Sequence, residues 1–411
     1  MDYYDDLETR SPEERERALF GALPGLIGHA RRNAPYFAAL LRDVDPQAVS
    51  SPRALAAIPI TRKSDLIALQ RQAPPFGGMT TVATGSLGRV FSSPGPIYDP
   101  QGARGDFWRF GRALWAAGFR AGDLVHNAFS YHFTPAGFMI DLAAQAIGCA
   151  VFPAGVGQTE MQVQAIAELK PSAYAGTPSF LKILLEKADE LNADVSSLRR
   201  ALVSGEALLP QVREALGRRG IEVRQCYGTA DLGLIAYETE PMAGLVIDEG
   251  VIVEIVRPGG SAPAPEGEVG EVVVTTLSPE YPLIRFATGD LSTLIPGTSS
   301  CGRTNRRIKG WMGRADQTTK VKGMFVHPSQ VDQVVKRHAE IARARLRVDH
   351  DAQKSDRMTL ACEVRENAPA LAQAIAESLR EVTKLRGEVE LVAPGTLPND
   401  GKVIEDLRKY D

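Results

Sequence analysis

Apolar and polar positions follow two different periods through the middle of the chain. Short apolar runs such as LVHNAF, SAYAGT and RALVSG are typical of buried strands. Between them, TPAGFMIDLAAQAIG and PSFLKILLEKADEL carry apolar residues at helical spacing. Because strands that alternate with helices are joined by right-handed crossovers, this pattern predicts a mostly parallel sheet with helices on both faces.

The pattern changes on either side of this region. The first 80 residues predict helices, and after Gly228 the runs GLVIDEGVIVEIV and GEVVVTTL predict a smaller, more antiparallel sheet or distorted barrel. The last part of the chain predicts a compact α+β unit. We therefore predict an α/β fold with an N-terminal domain at 1–313, whose β-rich subdomain covers about 229–313, and a C-terminal domain at 314–411.

Composition and charge exclude several classes of protein. The 411 residues carry a net charge of −3, which does not indicate nucleic acid as a partner. No stretch approaches ~18 consecutive apolar residues, so no membrane span is expected. The polar, acidic N-terminus is unlike a secretory signal. The four cysteines show no paired spacing, which fits a reducing cytoplasm. We expect a cytoplasmic protein.

The stretch QCYGTADLG places polar residues after a predicted strand. The strand is expected to end at Tyr227 and Gly228, with Asp231 in the following turn. Loops at the carboxyl ends of parallel strands bind ligands in α/β proteins. A tyrosine there can stack on a purine, and an aspartate can hold Mg²⁺. The alternative interpretation is an ordinary turn with a structural tyrosine.

Three later stretches carry further candidates. IRFATGDLSTL presents Asp290, whose carboxylate can accept two hydrogen bonds from a ribose diol, although it can equally be a turn residue. RRIKGWMGRADQTTKVKGMFV offers Arg307 and Arg314 to a phosphate, and Gly323 in a tight turn past which a thin ligand can run. GTLPNDGKVIEDLRKYD contains Lys402, which alone is an ordinary surface lysine.

In this order, these stretches resemble the adenylate-forming superfamily of acyl-CoA synthetases, and most closely its phenylacetate–CoA ligase family. The resemblance extends from about Pro35 to the C-terminus. It implies a large N-terminal domain joined by a hinge to a small mobile C-terminal domain. It also implies ATP, Mg²⁺ and coenzyme A as cofactors and a small-molecule carboxylate as substrate, and it is compatible with a homodimer.

The same resemblance implies a role for each candidate residue. Tyr227 stacks on adenine, and Asp290 binds the ribose hydroxyls. Asp231 replaces the usual glutamate beside Mg²⁺, and Lys402 bridges the carboxylate and the phosphate during adenylation. The remaining nucleotide, hinge, channel and catalytic positions are Glu206, Gly228, Thr229, Arg307, Arg314, Asp316 and Gly323.

The stretch FSSPGPIYDP matches the position of the family's phosphate loop but is shorter. Ser92, Ser93 and Gly95 remain, whereas Pro94 lacks a backbone donor. Either the short loop still binds pyrophosphate through its two serines and its glycine, or ATP use is reduced. We favour the first interpretation, because the lysine of the C-terminal stretch and the hinge are retained.

The acyl pocket is expected beside the strand ends near SYHFTPAG and VSGEA. Aromatic side chains next to small ones suit a flat ring with a short acid arm. His132 can also be a purely structural histidine. The candidate substrate-binding residues are Tyr131, His132, Phe133, Ala136, Gly137 and Ser204.

Two further expectations concern zinc and the reaction. Some family members carry a Cys/His cluster, of which only Cys301 stands in this chain, so no zinc is expected. The leading hypothesis is an AMP-forming carboxylate–CoA ligase for an aryl or arylacetic acid. One alternative is an adenylating enzyme that passes the acyl group to an amine or a carrier protein. The other is a degenerate relative that binds a nucleotide or acyl-CoA without turnover.

Overall fold

The computed structural model describes residues 2–93, 97–240, 242–258, 260–321, 324–350, 356–398 and 402–408. The chain forms two compact units. The first unit comprises Met1–Thr288 with Ser292–Trp311, and the second comprises Gly289–Leu291 with Met312–Asp411. The predicted domain boundary at 313/314 and the predicted mobility of the C-terminal domain stay predictions.

Eleven α-helices lie in the described residues, and none of them is both long and apolar enough to cross a lipid bilayer. Their bounds, in chain order, are α1 Pro12–Asn33, α2 Pro35–Leu40, α3 Pro52–Ala56, α4 Leu66–Gln72, α5 Gly111–Ala116, α6 Ala136–Ala146, α7 Thr159–Leu169, α8 Pro178–Leu191, α9 Pro210–Arg218, α10 Pro328–Arg337 and α11 Pro369–Thr383.

Strands account for most of the remaining regular structure. Within the described residues they are β1 Thr61–Arg62, β2 Arg89–Ser93, β3 Ile97–Gln101, β4 Leu124–Asn127, β5 Ala150–Pro153, β6 Ala173–Gly176, β7 Arg200–Val203, β8 Glu222–Thr229, β9 Gly233–Glu238, β10 Leu245–Ile247, β11 Val251–Val256, β12 Gly270–Thr276, β13 Phe286–Ser292, β14 Leu294–Ile295, β15 Arg307–Ile308, β16 Thr319–Val321, β17 Met324–Val326, β18 Ile341–His350, β19 Asp356–Val364, β20 Glu388–Val392 and β21 Ile404–Asp406.

A nine-stranded sheet forms the centre of the first unit, in the order β14-β15-β10-β9-β8-β7-β6-β4-β5. Five neighbouring strands of this sheet pair in parallel, in the order β8, β7, β6, β4 and β5. Both faces are covered, because Leu202 of β7 packs in one core cluster with α5 and α6, while its neighbours Ala201 and Val203 pack in another with α7 and α8. The predicted α/β fold class is confirmed.

A second, four-stranded sheet in the order β1-β13-β12-β11 follows from the β-rich part of the sequence. Its described strands form an open sheet and do not close into a barrel. Its core includes Val253, Val272 and Phe286, together with Leu23 and Ile27 of α1. The N-terminal helices therefore cover this sheet.

Helix α1 begins where its sequence predicts. Ser11 caps it by accepting from the backbone N–H of Glu14, and the Glu14 carboxylate accepts from the backbone N–H of Ser11 in return. Pro12 occupies the first turn, where its missing N–H costs nothing.

The second unit is an α+β layer. Its sheet has the order β20-β19-β18-β21, with β18 and β19 antiparallel and the outer pairs parallel. Its core joins Leu346 and Leu360 of the sheet to Val331 of α10 and Ile375 of α11. Strands β16 and β17 form a separate two-stranded ribbon.

Candidate active site

Strand β8 carries the predicted adenine-stacking tyrosine. It extends to Thr229, slightly beyond the predicted end, and the chain turns back at once as β9. The half-buried Tyr227 donates from its hydroxyl to Thr288 Oγ1 at 3.3 Å. A β-carbon on Gly228 would lie 2.6 Å from the carbonyl oxygen of Gly233, so the bulge at this point requires a glycine.

The turn after β8 holds Asp231 below the surface. Thr229 Oγ1 accepts from the backbone N–H of Leu232 at 3.2 Å and fixes this turn. The Asp231 side chain has no exposed surface, and its Oδ2 accepts from Lys63 Nζ at 2.5 Å. Its Oδ1 is buried without a hydrogen-bond partner among the described residues.

A second carboxyl group lies beside Asp231. Asp99 of β3 is completely buried, and neither of its carboxylate oxygens has a partner among the described residues. Burial raises the pKa of Asp99 to about 8, with a further contribution from the Asp231 carboxylate. The buried hydroxyl of Tyr281 has a raised pKa because of burial and then of these two acids. We call Lys63, Asp99, Asp231 and Tyr281 the buried acid cluster.

The buried acid cluster bears on the predicted Mg²⁺. Mg²⁺ prefers oxygen ligands, and Asp231 Oδ1 is an oxygen of that type. However, the other oxygen already holds an ammonium group, the side chain is closed to solvent, and the neighbouring Asp99 carboxyl has a raised pKa. No described residues form a group of three or more His, Cys, Asp or Glu side chains able to hold a metal. As they stand, these side chains do not fit a divalent cation.

The short phosphate-loop stretch is a β-hairpin of β2 and β3. Ser93 pairs with Ile97, and its hydroxyl donates to the Ile97 carbonyl at 3.4 Å. The backbone N–H of Ser92 donates to the carbonyl of Phe133 at 2.9 Å. The predicted Gly95 lies outside the described residues. The hairpin is thus tied to the loop that carries the acyl-pocket candidates.

That loop precedes α6 and shows two kinds of side chain. Tyr131 accepts from Asn127 and donates to Asp141 at 3.0 Å, so its hydroxyl is engaged within the protein. His132 is exposed. Phe133 is 68% exposed with a φ of 62°, an uncommon backbone conformation for a residue other than glycine.

Two of the predicted small residues lie at the start of α6. Ala136 is half-buried at the first position of the helix. A β-carbon on Gly137 would lie 2.8 Å from the Tyr131 ring and from the Ser130 carbonyl oxygen. The glycine is therefore required for the close approach of this loop to the helix.

Two candidates after β7 make local contacts. Ser204 donates from its hydroxyl to the carbonyl of Cys226 at 2.9 Å and so links β7 to β8. The exposed Glu206 accepts at 2.6 Å from the backbone N–H of Ser179, at the start of α8. Both residues lie after the carboxyl end of a parallel strand, as predicted.

Arg307 is placed differently from its predicted role. It is buried in β15, and its guanidinium donates to the carbonyl of Ala243 at 2.8 Å. It also lies 3.3–3.4 Å from three successive carbonyls, at residues 296–298. These contacts give the arginine a structural role, and its nucleotide contact stays a prediction.

The second unit holds the other charged candidates. Asp290 lies inside β13, where its carboxylate accepts from Arg314 at 3.1 Å. Gly289 has a φ of 78°, and a β-carbon there would lie 2.6 Å from the Arg314 guanidinium. Lys402 is exposed. The side chain of Asp316 and the whole of Gly323 lie outside the described residues.

Two family models match most of the chain between them. Residues 110–278 match the family described as AMP-binding enzyme, and residues 323–407 match the AMP-binding enzyme C-terminal domain. Phenylacetate-coenzyme A ligase of Thermus thermophilus is 31% identical, with 100% of each chain covered. The chain belongs to the phenylacetate–CoA ligase family. The family recognised from the sequence is therefore confirmed.

Other relatives agree with this assignment. Phenylacetate-coenzyme A ligase of Escherichia coli K12 is 31% identical, covering 80% of this chain and 78% of the relative. The solved open conformation of 2-hydroxyisobutyryl-CoA ligase, in complex with 2-HIB-AMP and CoA, is 25% identical with a TM-score of 0.86. That match covers 97% of this ligase-family chain and 93% of the solved one.

Cys301, the single candidate zinc ligand of the sequence, lies between β14 and β15. It is buried, it accepts from the hydroxyl of Ser299 at 3.0 Å, and its sulfur shares a hydrogen bond with the hydroxyl of Thr239 at 3.4 Å. Burial alone would raise the pKa of Cys301, but these hydrogen bonds bring it below the usual value. The expected absence of zinc stays a prediction.

Two charged residues of this family member were missed in the sequence. Lys63 lies in a segment that predicts only helices, far in sequence from Asp231, and an isolated lysine gives no local sign of its partner. Asp99 stands within FSSPGPIYDP, whose serines and glycine indicate only phosphate-binding donors. Asp99 shares one face of its strand with the buried Ile97 and Gln101, and an acid at that alternation was the signal that could have identified it.

Proposed function

We propose that this member of the phenylacetate–CoA ligase family is an ATP-dependent, AMP-forming carboxylate–CoA ligase for an aryl or arylacetic acid. The observation that carries the proposal is the similarity to a phenylacetate-coenzyme A ligase over the whole length of both chains. The likeness to a ligase solved with an acyl-adenylate and CoA supports the same reaction.

The proposed reaction has two steps. In the first, a carboxylate oxygen attacks the α-phosphorus of ATP, a P–O bond forms, and pyrophosphate leaves. In the second, the coenzyme A thiolate attacks the acyl carbon and releases AMP. Because two anions approach each other in the first step, cationic groups are needed there. We assign that role to Lys402, and we assign ribose binding to Asp290.

Contacts within the first unit support the proposed nucleotide pocket. The hydrogen bond to Thr288 fixes the edge of the Tyr227 ring, so that its face can meet a purine without further ordering. We also propose that Mg²⁺ binds together with ATP, and we assign no step of the reaction to the metal.

The residues predicted to form the acyl pocket favour a flat substrate. Because Tyr131 already donates to Asp141, its ring rather than its hydroxyl is the surface available to a ligand. Phe133, with most of its ring exposed, offers a second apolar surface next to the hairpin. Two aromatic surfaces beside the required Gly137 favour a planar ring over a branched aliphatic acid.

A carboxylate panel tests the proposal. The purified chain is assayed with ATP, CoA and phenylacetate, benzoate or 2-hydroxyisobutyrate, and both pyrophosphate and acyl-CoA are measured. We expect equal yields of the two products with an aromatic acid. Pyrophosphate without acyl-CoA, together with an amide when an amine is added, would support the acyl-to-amine alternative. Release of neither product with any acid would support the relative without turnover.

A further inference from the structure

We propose that Lys63 binds a phosphate group of the nucleotide, and that Asp231 serves as the anchor of this lysine rather than as a metal ligand. The inference rests on the proposed function and adds a binding residue to the same site. It is carried by the buried acid cluster, in which a buried carboxylate and a partly exposed ammonium are directly paired.

The backbone holds Lys63 in a fixed position. It follows β1 directly, and β1 pairs in parallel with β13 through Thr61 and Arg62. The N–H of Thr61 donates to the carbonyl of Arg285 at 3.1 Å. The lysine is therefore the first residue of the short 3-10 helix Lys63–Asp65 that directly follows an edge strand, which limits the positions its ammonium can reach.

The side chain of Lys63 joins the buried acids to the surface. Its ammonium donates to Asp231 at 2.5 Å, yet the side chain keeps 25% of its surface exposed, whereas Asp231 keeps none. An ammonium has three N–H donors, and one is used in this contact. Lysine binds phosphates as a point charge, so the other donors suit an anion arriving from solvent.

The place of the cluster favours a phosphate as that anion. Asp99 belongs to β3 of the hairpin whose turn is predicted to hold pyrophosphate, and it lies against Asp231. In the sequence, residues 94–96 between β2 and β3 include Pro94 and Pro96, and neither proline has a backbone N–H to offer an anion. A cation beside the hairpin compensates for these two missing backbone donors.

The charges of the cluster argue against a metal at the same place. Asp231 has two oxygens, and one is occupied by Lys63. A divalent cation on the other would meet the ammonium as a like charge in a buried environment. The two cations exclude each other, so a lysine at this position replaces a protein-bound metal.

Nucleotide binding without turnover tests the inference. Isothermal titration with ATP and with adenosine, in EDTA, is compared for the wild type, Lys63→Met and Lys63→Arg. We expect Lys63→Met to weaken ATP binding at least tenfold and to leave adenosine binding unchanged, while Lys63→Arg stays within about threefold of the wild type. Lys182→Met, which removes an exposed lysine paired with Glu186, is the matched control and should change neither affinity.

Two further measurements keep the test decisive. If Lys63→Met does not fold because Asp231 is left uncompensated, the double variant with Asp231→Asn removes both charges and should show the same loss of ATP affinity. Paramagnetic resonance of Mn²⁺ should show no binding to the wild type in the absence of nucleotide.

The outcomes separate the inference from the proposed function. Unchanged ATP affinity in the lysine variants, or Mn²⁺ binding to the wild type that Asp231→Asn abolishes, overturns the inference while acyl-CoA formation still stands. A wild type that binds no ATP overturns both.

Discussion

Replacing Asp99 by asparagine should remove a pH-dependent cost from the folded protein. Burial raises the pKa of this carboxyl to about 8, whereas its ordinary value is 3.8. Between these pH values the folded chain keeps a proton that the unfolded chain releases. The free energy of unfolding therefore falls as the pH rises through this interval. Asparagine has no such proton, so the Asp99→Asn variant should lack this slope.

The size of the effect follows from the shift. About four pH units at about 1.4 kcal/mol per unit give a cost on the order of 5 kcal/mol, most of it between pH 5 and pH 8. The asparagine side chain also has nearly the shape of a protonated aspartate, and its amide can donate toward Asp231. The variant should thus gain stability relative to the wild type by a few kcal/mol across this range.

Urea denaturation followed by tryptophan fluorescence measures the difference. All three tryptophans, Trp108, Trp115 and Trp311, belong to the first unit, which also contains Asp99. Midpoints and slopes are compared at pH 5, 6, 7 and 8. Asp43→Asn changes a carboxylate whose side chain is 91% exposed and serves as the control. Parallel curves for wild type and Asp99→Asn would refute the reasoning.

Three other predictions test the site and its scaffold. Lys402→Ala should lower adenylation by about 10²–10³-fold and spare thioester formation from a supplied acyl-adenylate, because the lysine is assigned to the first step only; loss of both steps in a quenched-flow assay would contradict that assignment. Asp290→Asn should weaken ATP binding about 10–100-fold, from the loss of charge-assisted hydrogen bonds to the ribose; an unchanged dissociation constant removes it from the ribose site. Gly228→Ala should lower the free energy of unfolding by about 1–3 kcal/mol because its β-carbon overlaps the neighbouring strand. Gly217→Ala, in α9 with nothing within 4 Å, should be neutral or stabilising in the same denaturation series.

The fold could be predicted well wherever one period dominates the sequence. The run PSFLKILLEKADEL predicted a helix, and α8 covers Pro178–Leu191. RALVSG predicted a buried strand, and β7 covers Arg200–Val203. Thr177 caps α8 and Pro178 occupies its first turn, so local sequence and sheet packing favour the same boundary. Agreement between local and long-range preferences is what makes such a segment predictable.

The site was less predictable because its contacts are distant in sequence. Tyr227 was identified from its place at the end of a predicted strand, but Lys63 lies 168 residues before the aspartate it binds. Positive charge was also an ambiguous sign: the sequence offers Arg307 to a phosphate, which stays a prediction, and it does not show that the guanidinium donates to backbone carbonyls. A side chain's type shows which partners it can have, and only the fold decides which partner it meets.

The hydrogen bond from the backbone N–H of Ser92 to the carbonyl of Phe133 has a practical consequence for altering the acid that the protein accepts. Exchanging residues 129–135 for a loop with a different backbone path would also displace strand β2, since the contact joins the main chains of the two segments, whereas side-chain substitutions alone would keep it. Grafts intended to change acid preference should therefore transfer residues 89–93 together with that loop, so that the two main chains keep their contact.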